Sequence, residues 1–109
     1  EYILLLTLKA GEYTGSRVSD VDLFRIRNAM PHLAETLKKS LRPGDAVAQF
    51  SDSQYVILLS ACTYEGGMLA ANRIISKFYQ DHKVYRNLKI KIHIEKVKTA
   101  EHILNKYSG

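Results

Sequence analysis

From residue 88 to residue 95 the chain reads LKIKIHIE. Leu88, Ile90, Ile92 and Ile94 alternate with Lys89, Lys91, His93 and Glu95. A strict period of two puts the apolar side chains on one side of a strand and the polar ones on the other. Such a strand has one wet face, so it belongs to a sheet that is covered on a single side. The cover has to come from elsewhere in the 109 residues.

Two helical stripes can supply it. Leu23, Ile26, Met30, Leu33, Leu37 and Leu41 are spaced three and four apart, which is one face of a helix. Ser19 or Asp20 can cap its start. Pro31 falls inside the stripe, where a proline costs about 3 kcal/mol through a lost hydrogen bond and a clash with the preceding turn. The stripe keeps its phase across Pro31, so the expectation is one helix kinked there, or two almost in line. Met68, Ala71, Ile74, Ile75 and Phe78 form the second stripe, with Thr63 as its cap.

The remaining strands follow from apolar runs between turn signals. YILLLTL, residues 2–8, is continuous and predicts a central strand buried on both faces. KAGEYTGSR, residues 9–17, is a loop. RPGD, residues 42–45, ends the first helix. Residues 45–50 and 54–59 read as strands, and the short link between them favours an antiparallel hairpin. DHKVYRN is a polar turn, and residues 99–106 can add a short terminal helix. The order is β-α-β-β-α-β, an α+β plan of ferredoxin-like type with an antiparallel sheet and helices packed on one face. One domain spans 1–109, with its core in 1–97 and a C-terminal extension in 98–109. The chain lacks an initiator Met and starts almost inside an apolar run, so it reads as a piece of a longer protein.

Composition excludes more than it selects. No apolar run approaches the ~18 residues that a membrane span needs, so no membrane partner is expected. A single cysteine, Cys62, cannot form an internal disulfide, which suits a reduced, cytoplasmic setting. The net charge of +5 admits an anionic partner without requiring one. The four histidines, His32, His82, His93 and His102, stand on separate elements and in no metal-ligand spacing, so no metal site and no cofactor is expected. Gly66-Gly67 lies in no phosphate-loop pattern; its expected role is to let a helix start approach a neighbour. The tyrosines do not fall in the pattern of an RNA-stacking sheet.

The stretch LRPGDAVAQFSDSQYVILL, residues 41–59, resembles the hairpin of a GGDEF domain, and the likeness in element order covers roughly residues 1–97. That family makes cyclic di-GMP from two GTP molecules. Its five signature positions would fall on Ser51, Asp52, Ser53, Gln54 and Tyr55. Only the aromatic is kept in kind. Serine and aspartate stand where two glycines would let backbone approach a nucleotide. Ser53 replaces an acidic residue that helps hold metal, and Gln54 has the shape of glutamate without its charge. The resemblance also calls for an Asp-x-Asp near Thr7-Leu8-Lys9, where a lysine stands instead. Phosphoryl transfer needs cations to offset phosphate charge, and magnesium needs oxygen ligands that usually include a carboxylate. With Asp52 as the one carboxylate at this tip, catalytic residues are not expected, and an active diguanylate cyclase is the least favoured reading.

Residues 51–79, SDSQYVILLSACTYEGGMLAANRIISKFY, further resemble the C-terminal domain of bacterial transcriptional activator domain regulators (the BTAD, or SARP-type, regulators). The resemblance implies a non-catalytic regulatory or interaction domain of a transcription regulator, in which an upstream domain contacts DNA. Partners would be other domains of the same regulator, with a homo-oligomer possible in principle. One motif of the cyclase family survives. Arg42-Pro43-Gly44-Asp45 fits R-x-x-D, five residues before Ser51, the spacing at which the family binds cyclic di-GMP for product inhibition. There an arginine fork and a carboxylate hold the dinucleotide, and Lys38 and Lys39 would assist with phosphate. The plainer alternative is a turn in which Arg42 and Asp45 hold each other.

Overall fold

The computed structural model describes residues 1–10 and 19–97. The loop expected at 9–17 lies almost wholly outside these residues, and the terminal helix expected at 99–106 lies outside them entirely. Strand β1 is Tyr2–Lys9, helix α1 Asp20–Ser40, β2 Ala46–Ser51, β3 Gln54–Leu59, α2 Tyr64–Asp81 and β4 Lys89–Lys96. A 3-10 turn, Lys83–Tyr85, precedes β4. The four strands form one antiparallel sheet in the order β2-β3-β1-β4. The molecule is α+β, compatible with the ferredoxin-like plan.

Register explains how alternation becomes a core. Leu4, Leu6 and Leu8 of β1 lie opposite Ile94, Ile92 and Ile90 of β4, and Leu4 and Leu6 lie opposite Ile57 and Tyr55 of β3. All these side chains point to one face, where Ile26, Met30, Leu33 and Leu37 of α1 and Ala71, Ile74 and Phe78 of α2 meet them. The expectation that β1 is buried on both faces needs correcting. It is central, but Ile3 is 36% exposed and Leu5 and Thr7 are half-buried. Both helices pack on the Leu4 side, and among the described residues no element covers the other.

The helices start and stop where local chemistry directs. Ser19 Oγ accepts from the Asp22 amide (3.1 Å), and Asp20 and Asp22 sit in the first turn of α1, where negative charge suits the helix dipole. Lys38 and Lys39 occupy its last turn. The helix continues through Pro31, whose ring lies on the exposed side. Thr63 Oγ1 accepts from the Gly66 amide (3.0 Å) at the start of α2. Gly67 is buried there, and a Cβ would stand 2.6 Å from Ile94 Cδ1, so this glycine lets α2 lie close on β4. The polar turn expected before β4 carries a half-buried Tyr85, stacked on Phe78 at 6.2 Å.

Candidate functional site

The Arg42–Asp45 turn is built by its own sequence. Pro43 suits the second position of a type II turn, and Gly44 takes φ +94° at the third, a conformation side-chain-bearing residues rarely adopt. The Asp45 amide closes the turn on the Arg42 carbonyl at 3.0 Å. Asp45 then folds back into the structure, with its side chain only 3% exposed. One carboxylate oxygen accepts from the Ser60 amide (3.0 Å) and the Ser60 hydroxyl (3.2 Å). The other accepts from the Arg42 amide at 3.1 Å and stands 3.7 Å from Arg42 Nε. Arg42 Nη2 also donates to the Ser60 carbonyl (3.2 Å), while its side chain stays 60% exposed. Burial pushes the Asp45 carboxyl up. The bonds from Ser60 and Arg42, with the guanidinium charge, outweigh this and hold it below its ordinary value.

This turn forms one wall of a cleft of about 370 Å³ between the ends of α1 and β3 and the start of α2. Arg42 and Arg73 both line it, as do Cys62 and Ala61. Ala61 holds φ +48°, an uncommon backbone for alanine. Neither Lys38 nor Lys39 lines this cleft, contrary to the expectation that both assist there. Lys39 lines a separate cleft between α1 and α2.

The five signature positions form the tip between β2 and β3. Neither Asp52 nor Ser53 has positive φ, so the primed two-residue turns that match strand twist are not used. The register instead shifts between Gln49 and Ser51, a bulge that leaves Phe50 67% exposed. Ser51 Oγ donates to Gln54 Oε1 (2.8 Å), and Gln54 Nε2 donates to Thr7 Oγ1 (3.1 Å). A glutamate could not donate this second bond and could only accept from the Thr7 hydroxyl. Asp52 is 84% exposed and only loosely paired with Arg27, at 3.8 Å. Tyr55 is anchored in the core, and its hydroxyl donates to the Met30 carbonyl at 2.9 Å. Beside the tip, on the helix-free face, Leu5, Thr7, Lys9, Gln54, Lys91 and His93 line a depression of about 300 Å³. Its lining holds two lysines and no carboxylate.

Sequence reading left the histidines apart. The fold joins two of them: the His32 and His82 rings have centroids 4.6 Å apart. The available signal was His32-x-x-Glu35, which puts both side chains on one side of α1. Nothing local in sequence announced that the end of α2 would lie beside them. No protein-family model matches the chain, and no curated protein matches it.

Proposed function

We propose that the chain is a non-catalytic regulatory and interaction domain of GGDEF-like type, belonging to a bacterial transcription regulator of the BTAD kind. The observation that carries this reading is the depression at the end of β1. In a working cyclase of this plan, carboxylates there would hold magnesium against triphosphate. Here the lining offers Lys9 and Lys91, and the neighbouring signature position is a neutral amide, Gln54. Two ammonium groups oppose a hard dication, which needs anionic oxygen. The interaction half of the reading rests on the helix-free sheet face. Ile3 and Leu5 of β1 lie opposite Leu58 and Val56 of β3 there, all four partly open to solvent. The partners in this reading are other domains of the same cytoplasmic regulator, and DNA is read by one of those. Incubation with GTP and magnesium or manganese, followed by chromatography, tests the catalytic half. No cyclic dinucleotide should form, and turnover above a protein-free control would sink the reading.

A second reading has one observation in its favour. Arg42 and Arg73 share a cleft large enough to admit part of a nucleotide, so cyclic di-GMP could bind through guanidinium–phosphate contacts. In that case Asp45 orients Arg42 rather than meeting guanine, because its carboxylate is already occupied by Ser60 and the Arg42 amide.

A further inference from the structure

His32 and Glu35 lie three residues apart on α1, and His82 caps the C-terminus of α2. One ligand atom from each side chain lies within 4.8 Å of those of the other two. Among the described residues, none of the three side chains has a hydrogen bond or an ion pair. Two imidazoles and a carboxylate thus converge on one point with their lone pairs unspent. We propose that His32, Glu35 and His82 form a site for one divalent transition-metal ion, zinc by preference, with a fourth coordination position open to solvent.

The chemistry of the donors selects the class of ion. Magnesium and calcium take oxygen ligands, whereas a set of two nitrogens and one carboxylate suits zinc and its neighbours. Three protein ligands with one open position is a recurrent zinc arrangement. Bonds of about 2.0–2.2 Å to a tetrahedral ion place ligand atoms roughly 3.4 Å apart. Binding has to close the observed limit of 4.8 Å to that spacing, a change on the scale that side-chain rotation supplies. Phe78 and Tyr85 flank the rings, at 5.5 Å from His82 and 5.7 Å from His32, and supply an apolar backing. On the other side a cleft of about 330 Å³ is lined by Glu35 and His82 together with Lys39, Arg73 and the ion pair of Lys77 with Asp81 (3.4 Å). Lys39 and Arg73 oppose a bare dication and favour an anion at the open position, so micromolar rather than nanomolar affinity is the expectation. The ion ties α1 to α2, because its ligands come from both. This inference requires nothing of the GGDEF likeness.

Zinc chloride titrated into the chelator-treated full chain tests the site. One zinc per chain should bind in the micromolar range, and saturating zinc should raise the melting midpoint by several degrees. His82→Asn and His32→Asn should each weaken binding at least tenfold. Glu35→Gln, at an exposed position that does not threaten folding, should weaken it several-fold. His93→Asn should leave it within twofold. Cobalt(II) in place of zinc should give the visible absorption of a tetrahedral site in the wild type and lose it in Glu35→Gln. Absence of one-to-one binding, or equal affinity in wild type, His82→Asn and Glu35→Gln, would overturn the proposal. If the three side chains merely pack, their conservative replacement leaves zinc affinity and the cobalt spectrum unmoved.

Discussion

Replacing Asp45 with alanine should destabilise the fold far more than replacing Arg42. The Asp45 carboxylate accepts three hydrogen bonds, from the Ser60 amide, the Ser60 hydroxyl and the Arg42 amide. Hydrogen bonds to an ionised group are each worth about 1.5–3 kcal/mol, but these three share one carboxylate charge and do not add. After its removal the Arg42 amide reaches water and the Ser60 hydroxyl rotates. The part-buried Ser60 amide has no such escape, and an orphaned buried donor costs about 1–3 kcal/mol. The expected loss for Asp45→Ala is therefore about 2–4 kcal/mol, which lowers a urea midpoint by roughly 1–2 M at ordinary m-values. Arg42→Ala keeps the backbone amide and removes an exposed pair at 3.7 Å, worth about 0.2–1 kcal/mol, together with the exposed Nη2 bond to the Ser60 carbonyl, which water can replace. Circular dichroism with urea measures both. A loss under about 0.5 kcal/mol for Asp45→Ala, or a larger loss for Arg42→Ala, would refute the assignment of Asp45 to the turn. Acid adds an independent check. The folded carboxyl lies below its ordinary value of 3.8, so the unfolded chain takes up the proton first as pH falls. The contribution of Asp45 is complete above that ordinary value and is lost through the lower folded one. Wild type should lose its advantage over Asp45→Ala across that acidic window.

Further outcomes follow from three single features. Tyr55→Phe deletes the buried hydroxyl that donates to the Met30 carbonyl and should cost about 1 kcal/mol in the same urea assay. Burial raises the Tyr55 hydroxyl above its ordinary 10.0, so ionisation favours the unfolded chain as pH climbs past that value; Tyr55→Phe should be less sensitive to alkali than wild type. Gly44→Ala places a Cβ at φ +94° and 3.0 Å from Ser60 Oγ, and should cost about 1–2 kcal/mol by thermal melt. Ala61→Gly relieves the φ of +48° and should be neutral or gain up to about 1 kcal/mol, measured the same way.

What could be read in the sequence was what periodicity and caps encode. The alternation at 88–95, the buried stripe from Ile26 to Leu37 and the caps at Ser19 and Thr63 stand as expected, and Gly67 does let α2 approach β4; the ends of the expected stripe do not, since Leu23 is exposed and Leu41 lies past the helix as its C-cap. The first β2 residue came out one late, because Asp45 is spent closing the turn rather than pairing in the ladder. The unbroken apolar run of β1 misled about its second face, since periodicity records hydrophobicity and not whether a layer exists to cover it. The R-x-x-D pair was legible as a motif. Its use was not, because the partner that occupies Asp45 is Ser60, fifteen residues away across the β2–β3 hairpin. Arg73 beside Arg42, and His82 beside His32, are likewise products of helix docking, which no local pattern carries.

The most direct test of the central claim is calorimetric titration of cyclic di-GMP into the folded chain. With Asp45 held by Ser60 and the signature positions lacking metal carboxylates, the account predicts no saturable heat up to high micromolar ligand. Saturable binding that disappears in Arg42→Ala, with the variant still folded, would contradict it and make the turn a nucleotide receptor.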